Sequence, residues 1–129
     1  MDLSNFTILY VDNVQRSVDF YRPLFGREPV ESTEGFALFV SETGTKFGLW
    51  ARESVLPKAN DVPAGSMEVA LALDNLITLQ IHYTKWRELG VDIIQEPTEM
   101  DFGTTFTALD PDGHRLRVYT YEKGKHEKA

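Results

Sequence analysis

An internal duplication constrains this chain more than any other feature. Asp12-Asn13 and Tyr21 recur as Asp74-Asn75 and Tyr83, each 62 residues further on. In the first copy, Phe6 to Val11 is a β-rich run that stops at Asp12-Asn13, both good helix caps. Val14, Val18, Tyr21 and Phe25 then form one apolar stripe at helical spacing, closed by Gly26. Pro23 sits inside that stripe, where its missing N–H predicts a kink or a shortened last turn. The second copy runs from a strand at Met67 to Leu73 into a helical stripe of Leu76, Leu79, Tyr83 and Trp86 that ends at Gly90.

Strand pairs follow each helix. Phe36 to Val40 and Lys46 to Arg52 flank Ser41-Glu42-Thr43-Gly44, and Gly103 to Leu109 and His114 to Tyr121 flank Asp110-Pro111-Asp112-Gly113. The charged segment Glu122 to Ala129 lacks an apolar face and is expected to fray. Two copies are too few for a solenoid, so the units are expected to pair. Each small sheet buries one face on its own helix, and function is expected on the other.

Composition narrows the possibilities. With 129 residues, 42% of them hydrophobic, the chain can bury a core without covalent staples. Its 13 basic against 20 acidic residues give a net charge of −7, which argues against nucleic acid as a partner. There is no cysteine, which excludes disulfides, thiolate metal sites and cysteine nucleophiles and agrees with a reducing compartment. The segment MDLSNFTILYVDN carries no basic, apolar leader pattern, and no run of about eighteen apolar residues occurs. A cytoplasmic location without membrane contact is the expectation.

Three segments carry a family resemblance: Leu9 to Tyr21 with Leu24-Phe25-Gly26, the repeated Met67 to Gly90, and Asp110-Pro-Asp-Gly-His-Arg-Leu-Arg-Val118. Together they resemble the vicinal oxygen chelate superfamily of glyoxalase I, extradiol dioxygenases and bleomycin-resistance proteins. Within it, Tyr10-Val11, Tyr21-Arg22, Phe47-Gly48-Leu49-Trp50 and Asp101 to Phe106 are similar to the phenazine antibiotic resistance proteins. The resemblance implies an α+β fold of two tandem βαβββ modules, a curved mixed sheet around a concave cleft, and a homodimer. Residues 1-122 would form the single domain, with module one at about 4-53, module two at about 66-122, and a charged tail at 123-129.

In that superfamily the enzymes carry metal ligands on the first and last strand of each repeat. Those positions fall here on Phe6, Gly48, Glu68 and Arg117. Only Glu68 can ligate, and an arginine at a ligand position repels a cation. No metal and no other cofactor is therefore expected. Among the histidines, His82 reads as a half-covered helix flank and His114 as a surface residue beside a turn, and no nucleophile–base spacing or phosphate loop occurs.

Strand alternation assigns the faces. Phe6, Ile8 and Tyr10 share the cleft side with Lys46, Gly48, Trp50 and Arg52 in the first copy. Glu68, Ala70 and Ala72 share it with Arg115, Arg117, Tyr119 and Tyr121 in the second. Gly48, Ala70 and Ala72 read as a vacant floor beneath aromatic walls. Arg117 has two readings, a fork for a ligand carboxylate or an ion pair with Glu68. Phe102 is either a lid or loop packing.

The expected function is cofactor-independent binding of a planar, phenazine-like natural product, with no catalytic residue. Its ligand-binding residues would be Trp50, Tyr10, Phe6, Gly48, Glu68, Phe102, Arg117 and Tyr119. The alternative is a metal-dependent glyoxalase-like lyase or dioxygenase with an atypical ligand set.

Overall fold

The structure, a computed structural model, describes residues 2–59 and 63–124. The chain divides into two compact units, Met1–Ser66 and Met67–Ala129. Each runs strand, helix and three strands: β1 (Phe6–Val11), α1 (Val14–Phe25), β2 (Glu31–Ser32), β3 (Phe36–Val40) and β4 (Lys46–Ala51), then β5 (Glu68–Ala72), α2 (Leu76–Glu88), β6 (Asp92–Met100), β7 (Gly103–Leu109) and β8 (Arg115–Thr120). The fold is α+β, with two four-stranded mixed sheets in the orders β1-β4-β3-β2 and β5-β8-β7-β6. In each, the first strand pairs in parallel with the last strand of its unit, and the other pairings are antiparallel.

The duplicated markers do matching work. Asn13 and Asn75 cap the two helices, accepting from Arg16 N at 2.9 Å and Thr78 N at 2.8 Å, which satisfies N–H groups that a helix start leaves unpaired. Gly26 ends α1 in the left-handed conformation, φ 64°, and returns its N–H to the Arg22 carbonyl. Pro23 neither stops nor shortens α1, which continues to Phe25.

The core of the first unit lies between α1 and its sheet. Leu9, Val11, Val14, Val18, Tyr21, Ala37, Phe39 and Leu49 are buried there. Tyr21 stacks on Phe25 at 5.2 Å and meets Phe47 edge-on at 4.9 Å, geometries that add to burial by the ring quadrupole. In the second unit, Phe106 takes the edges of Trp86 and Tyr83, each at 5.4 Å, above buried Leu79, Leu116 and Val118. Helix α2 also exposes Ile77 (74%) and Ile81 (60%) one turn apart, so apolar side chains occupy both of its faces.

Four details depart from the sequence reading. Strand β6 carries no strand signal because Pro97 and its acidic residues interrupt the pattern; it is an edge strand, where a missing N–H is tolerated. Arg52 is not on β4 but opens a 3-10 turn, and its Nε pairs with Asp12 Oδ1 at 3.1 Å. His114 is buried, at 2%, rather than on the surface, because the Asp110 carboxylate accepts from the backbone N–H of both Asp112 and His114 and draws the turn inward. Glu122 is anchored: Oε1 accepts from Leu76 N at α2's start, and its carbonyl accepts from Thr104 Oγ1 at 3.0 Å. The expected fraying beyond it, at residues 125–129, lies outside the described residues.

Candidate functional site

Burial follows strand parity on β1 in the first unit and on β8 in the second. On β1, Leu9 and Val11 are buried beneath α1 while Phe6, Ile8 and Tyr10 keep surface on the opposite, open face. On β8, Leu116, Val118 and Thr120 are buried while Arg115, Arg117 and Tyr119 point the other way. Register fixes the neighbours: Tyr10 lies beside Trp50 and Ile8 beside Gly48, while Ala72 lies beside Tyr119 and Ala70 beside Arg117. The open face of the first unit thus gathers Phe6, Tyr10, Gly48 and Trp50, and that of the second gathers Glu68, Arg117, Tyr119 and Phe102.

Trp50 is half-buried, with its ring 6.1 Å from Phe36 in an edge contact. Gly48 does not leave the expected vacancy. A Cβ added there would meet the Phe6 and Phe36 rings at 3.1 Å, so those rings already lie across the glycine. Lys46 holds its ammonium 5.7 Å from the Phe6 ring centroid. Room on the floor is confined to the second unit, where Ala70 and Ala72 are exposed. There Phe102, in the turn between β6 and β7, meets the Tyr119 ring edge-on at 6.0 Å, and Tyr119 meets Tyr121 at 5.5 Å. Hydrogen bonding with Tyr121, then its charge, then burial raise the Tyr119 pKa above the usual tyrosine value, so that ring stays neutral at physiological pH.

Of the two readings of Arg117, the structure adopts the ion pair. Its Nε donates to Glu68 Oε2 at 2.7 Å and its Nη1 to Gln95 Oε1 at 3.3 Å. Gln95 Oε1 also accepts from Thr107 Oγ1 at 2.8 Å. Gln95, Phe36 and Leu38 lie on the open sides of their sheets, as do Thr105 and Thr107, which are buried beside Tyr119 and Arg117, and the sequence reading named none of them. Alternation along β3 and β7 carried the signal for all but Gln95, which is placed by register breaks in β6.

The residues present do not fit the family's metal. Phe6 and Gly48 offer no donor atom, and the Glu68 carboxylate is engaged by a guanidinium that would oppose a cation. Among the described residues, no three histidine, cysteine, aspartate or glutamate side chains cluster as a ligand set. Elsewhere, a groove of about 1000 Å³ follows the outer side of α2, lined by Ile77, Gln80, Ile81, Thr84 and Glu122 among others. It has no aromatic wall. No helix among the described residues is long and apolar enough to cross a membrane.

Comparison with known proteins agrees with this fold. The profile of the glyoxalase/bleomycin resistance protein/dioxygenase superfamily matches residues 4–118, so the chain belongs to that superfamily. Among similar proteins, the phenazine antibiotic resistance protein EhpR of Enterobacter agglomerans is 37% identical over 117 residues, covering 88% of each chain. Lactoylglutathione lyase of Escherichia coli O157:H7 is 26% identical over 121 residues, covering 87% of each. The solution structure of protein ATC0852 from Agrobacterium tumefaciens is 48% identical, covers 93% of this chain and 98% of its own, and superposes with a TM-score of 0.82.

Proposed function

We propose that this protein binds a planar aromatic small molecule of the phenazine type and holds it chemically unchanged, without a cofactor. The observation that carries the reading is the equivalence of Trp50 and Tyr119. Each lies on the open face of the last strand of its unit, beside the first strand. Each open face thus offers a ring on which a flat ligand can stack, which adds roughly 0.5–1.5 kcal/mol to the area term. The similarity to EhpR supports the same reading, with antibiotic resistance as its biological outcome. The proposal extends to residues 1-122 acting as one domain and to a homodimer in the cytoplasm.

The test is equilibrium binding of phenazine followed by tryptophan fluorescence, with the ligand recovered afterwards and examined by mass spectrometry. Quenching that saturates, with the ligand recovered intact, is the expected result. Turnover of the ligand, or no binding up to its solubility limit, overturns the proposal. The similarity to a lactoylglutathione lyase favours the second reading, metal-dependent catalysis, which would require ligands other than Phe6, Gly48 and Arg117.

A further inference from the structure

Arg117 is held by its edges. All N–H bonds of a guanidinium lie in its plane, so bonds from Nε to Glu68 and from Nη1 to Gln95 fix that plane without covering either face. The support is itself fixed. Register breaks flank Gln95 in β6, and Thr107 Oγ1 donates to the same Oε1 that receives Arg117. The residues beside Arg117 on adjacent strands are small: Ala70 on β5, which is exposed, and Thr107 on β7. Among the described residues no aromatic ring lies over the guanidinium, and 23% of the Arg117 side chain remains accessible.

We propose that Arg117 is a stacking platform for the ligand ring, and that the second unit therefore selects neutral or anionic planar rings over cationic ones. A guanidinium is attracted to the negative face of an aromatic ring and repelled by a ring carrying positive charge. Arg115 and Arg117 share the open face of β8; Glu68 is bonded to Arg117, and Asp92, in register with Leu109 and Arg115, is a further acid on that side of the sheet, two strands away. Distant acidic residues contribute little, because salt at physiological strength screens exposed charges beyond about 8 Å.

This inference rests on the proposed ring-binding function, and one ring in three charge states separates the two. The probes are phenazine, phenazine-1-carboxylate and N-methylphenazinium, measured by calorimetry on the full chain and on Arg117→Lys, which keeps the charge and loses the plane. The expected wild-type result is binding of the first two, with the cation weaker by about tenfold or more. Arg117→Lys is expected to weaken neutral phenazine by about three- to tenfold. Equal affinity for all three probes overturns the platform and leaves ring binding standing. Neutral phenazine bound equally by wild type and Arg117→Lys also overturns it, since a point charge would then suffice. Failure of every probe to bind overturns both proposals.

Discussion

Arg117 Nε meets Glu68 Oε2 at 2.7 Å along a diagonal of the sheet, because the strand neighbour of Arg117 is Ala70 and that of Glu68 is Arg115. The contact spans 49 residues of chain and joins the first and last strands of the second unit. The hydrogen bond from Arg117 holds the Glu68 carboxyl below the usual carboxylate range, against partial burial and with help from the charges of Arg117 and Arg115.

A depressed folded-state pKa stabilises the protein above the unfolded-state value, and that contribution is lost as pH falls through the folded value. The stability difference between wild type and Glu68→Gln should therefore be greatest near neutrality and shrink below pH of about 4. With 40% of the Glu68 side chain exposed, solvent screening limits the difference to about 1 kcal/mol or less. Urea melts at several pH values measure it. A difference that grows on acidification contradicts the sign.

The two tryptophans should respond in opposite ways. Trp50→Ala on the open face should weaken phenazine binding by about 1–3 kcal/mol with little change in melting temperature. Trp86→Ala, emptying a buried site against Phe106, should cost about 3–5 kcal/mol of stability. Thermal denaturation and fluorescence titration of both variants check this. If Trp50→Ala unfolds the protein and leaves ligand affinity untouched, the open face loses its main residue.

Gly103 tolerates no side chain. It has φ of 149°, and an added Cβ would collide with the Thr120 carbonyl oxygen. Gly103→Ala should destabilise by about 1–3 kcal/mol from backbone strain alone, and it should also displace the adjacent Phe102 from Tyr119. Chemical denaturation gives the first effect and ligand affinity the second.

Metal should be dispensable. Treatment with a chelator is expected to leave phenazine affinity unchanged, since Phe6 and Gly48 have no donor and Glu68 is committed to Arg117. A tenfold loss restored by zinc, nickel, manganese or iron would count against cofactor-free binding.

A homodimer is the expected state in solution, because exposed Phe6, Phe102 and Tyr121 leave aromatic surface on the open faces. Sedimentation at tens of micromolar should give twice the chain mass, and a 14.7 kDa species would refute it.

The open faces were legible because alternation holds along β1 and β8: once Leu9 and Leu116 are core, Tyr10 and Arg117 must face away. Both helices were legible because a cap, an apolar stripe and a terminal glycine agreed. Gly48 misled because composition shows a missing side chain but not which rings lean over it. His114 misled because a DPDG sequence predicts a turn, and only the double acceptance by Asp110 tells that the turn folds inward. Gln95 had no local signal at all, since its direction is set by irregular pairing with β7.

The same irregular strand bears on how crowded copies of the chain meet. Crowded chains tend to join through exposed strand edges. One edge of the second sheet is β6, broken by two register shifts, interrupted by Pro97 and studded with Asp92, Glu96 and Glu99. Such an edge templates a neighbouring strand poorly. The residues that hid β6 from the sequence reading thus also guard that edge of the sheet against strand-by-strand association.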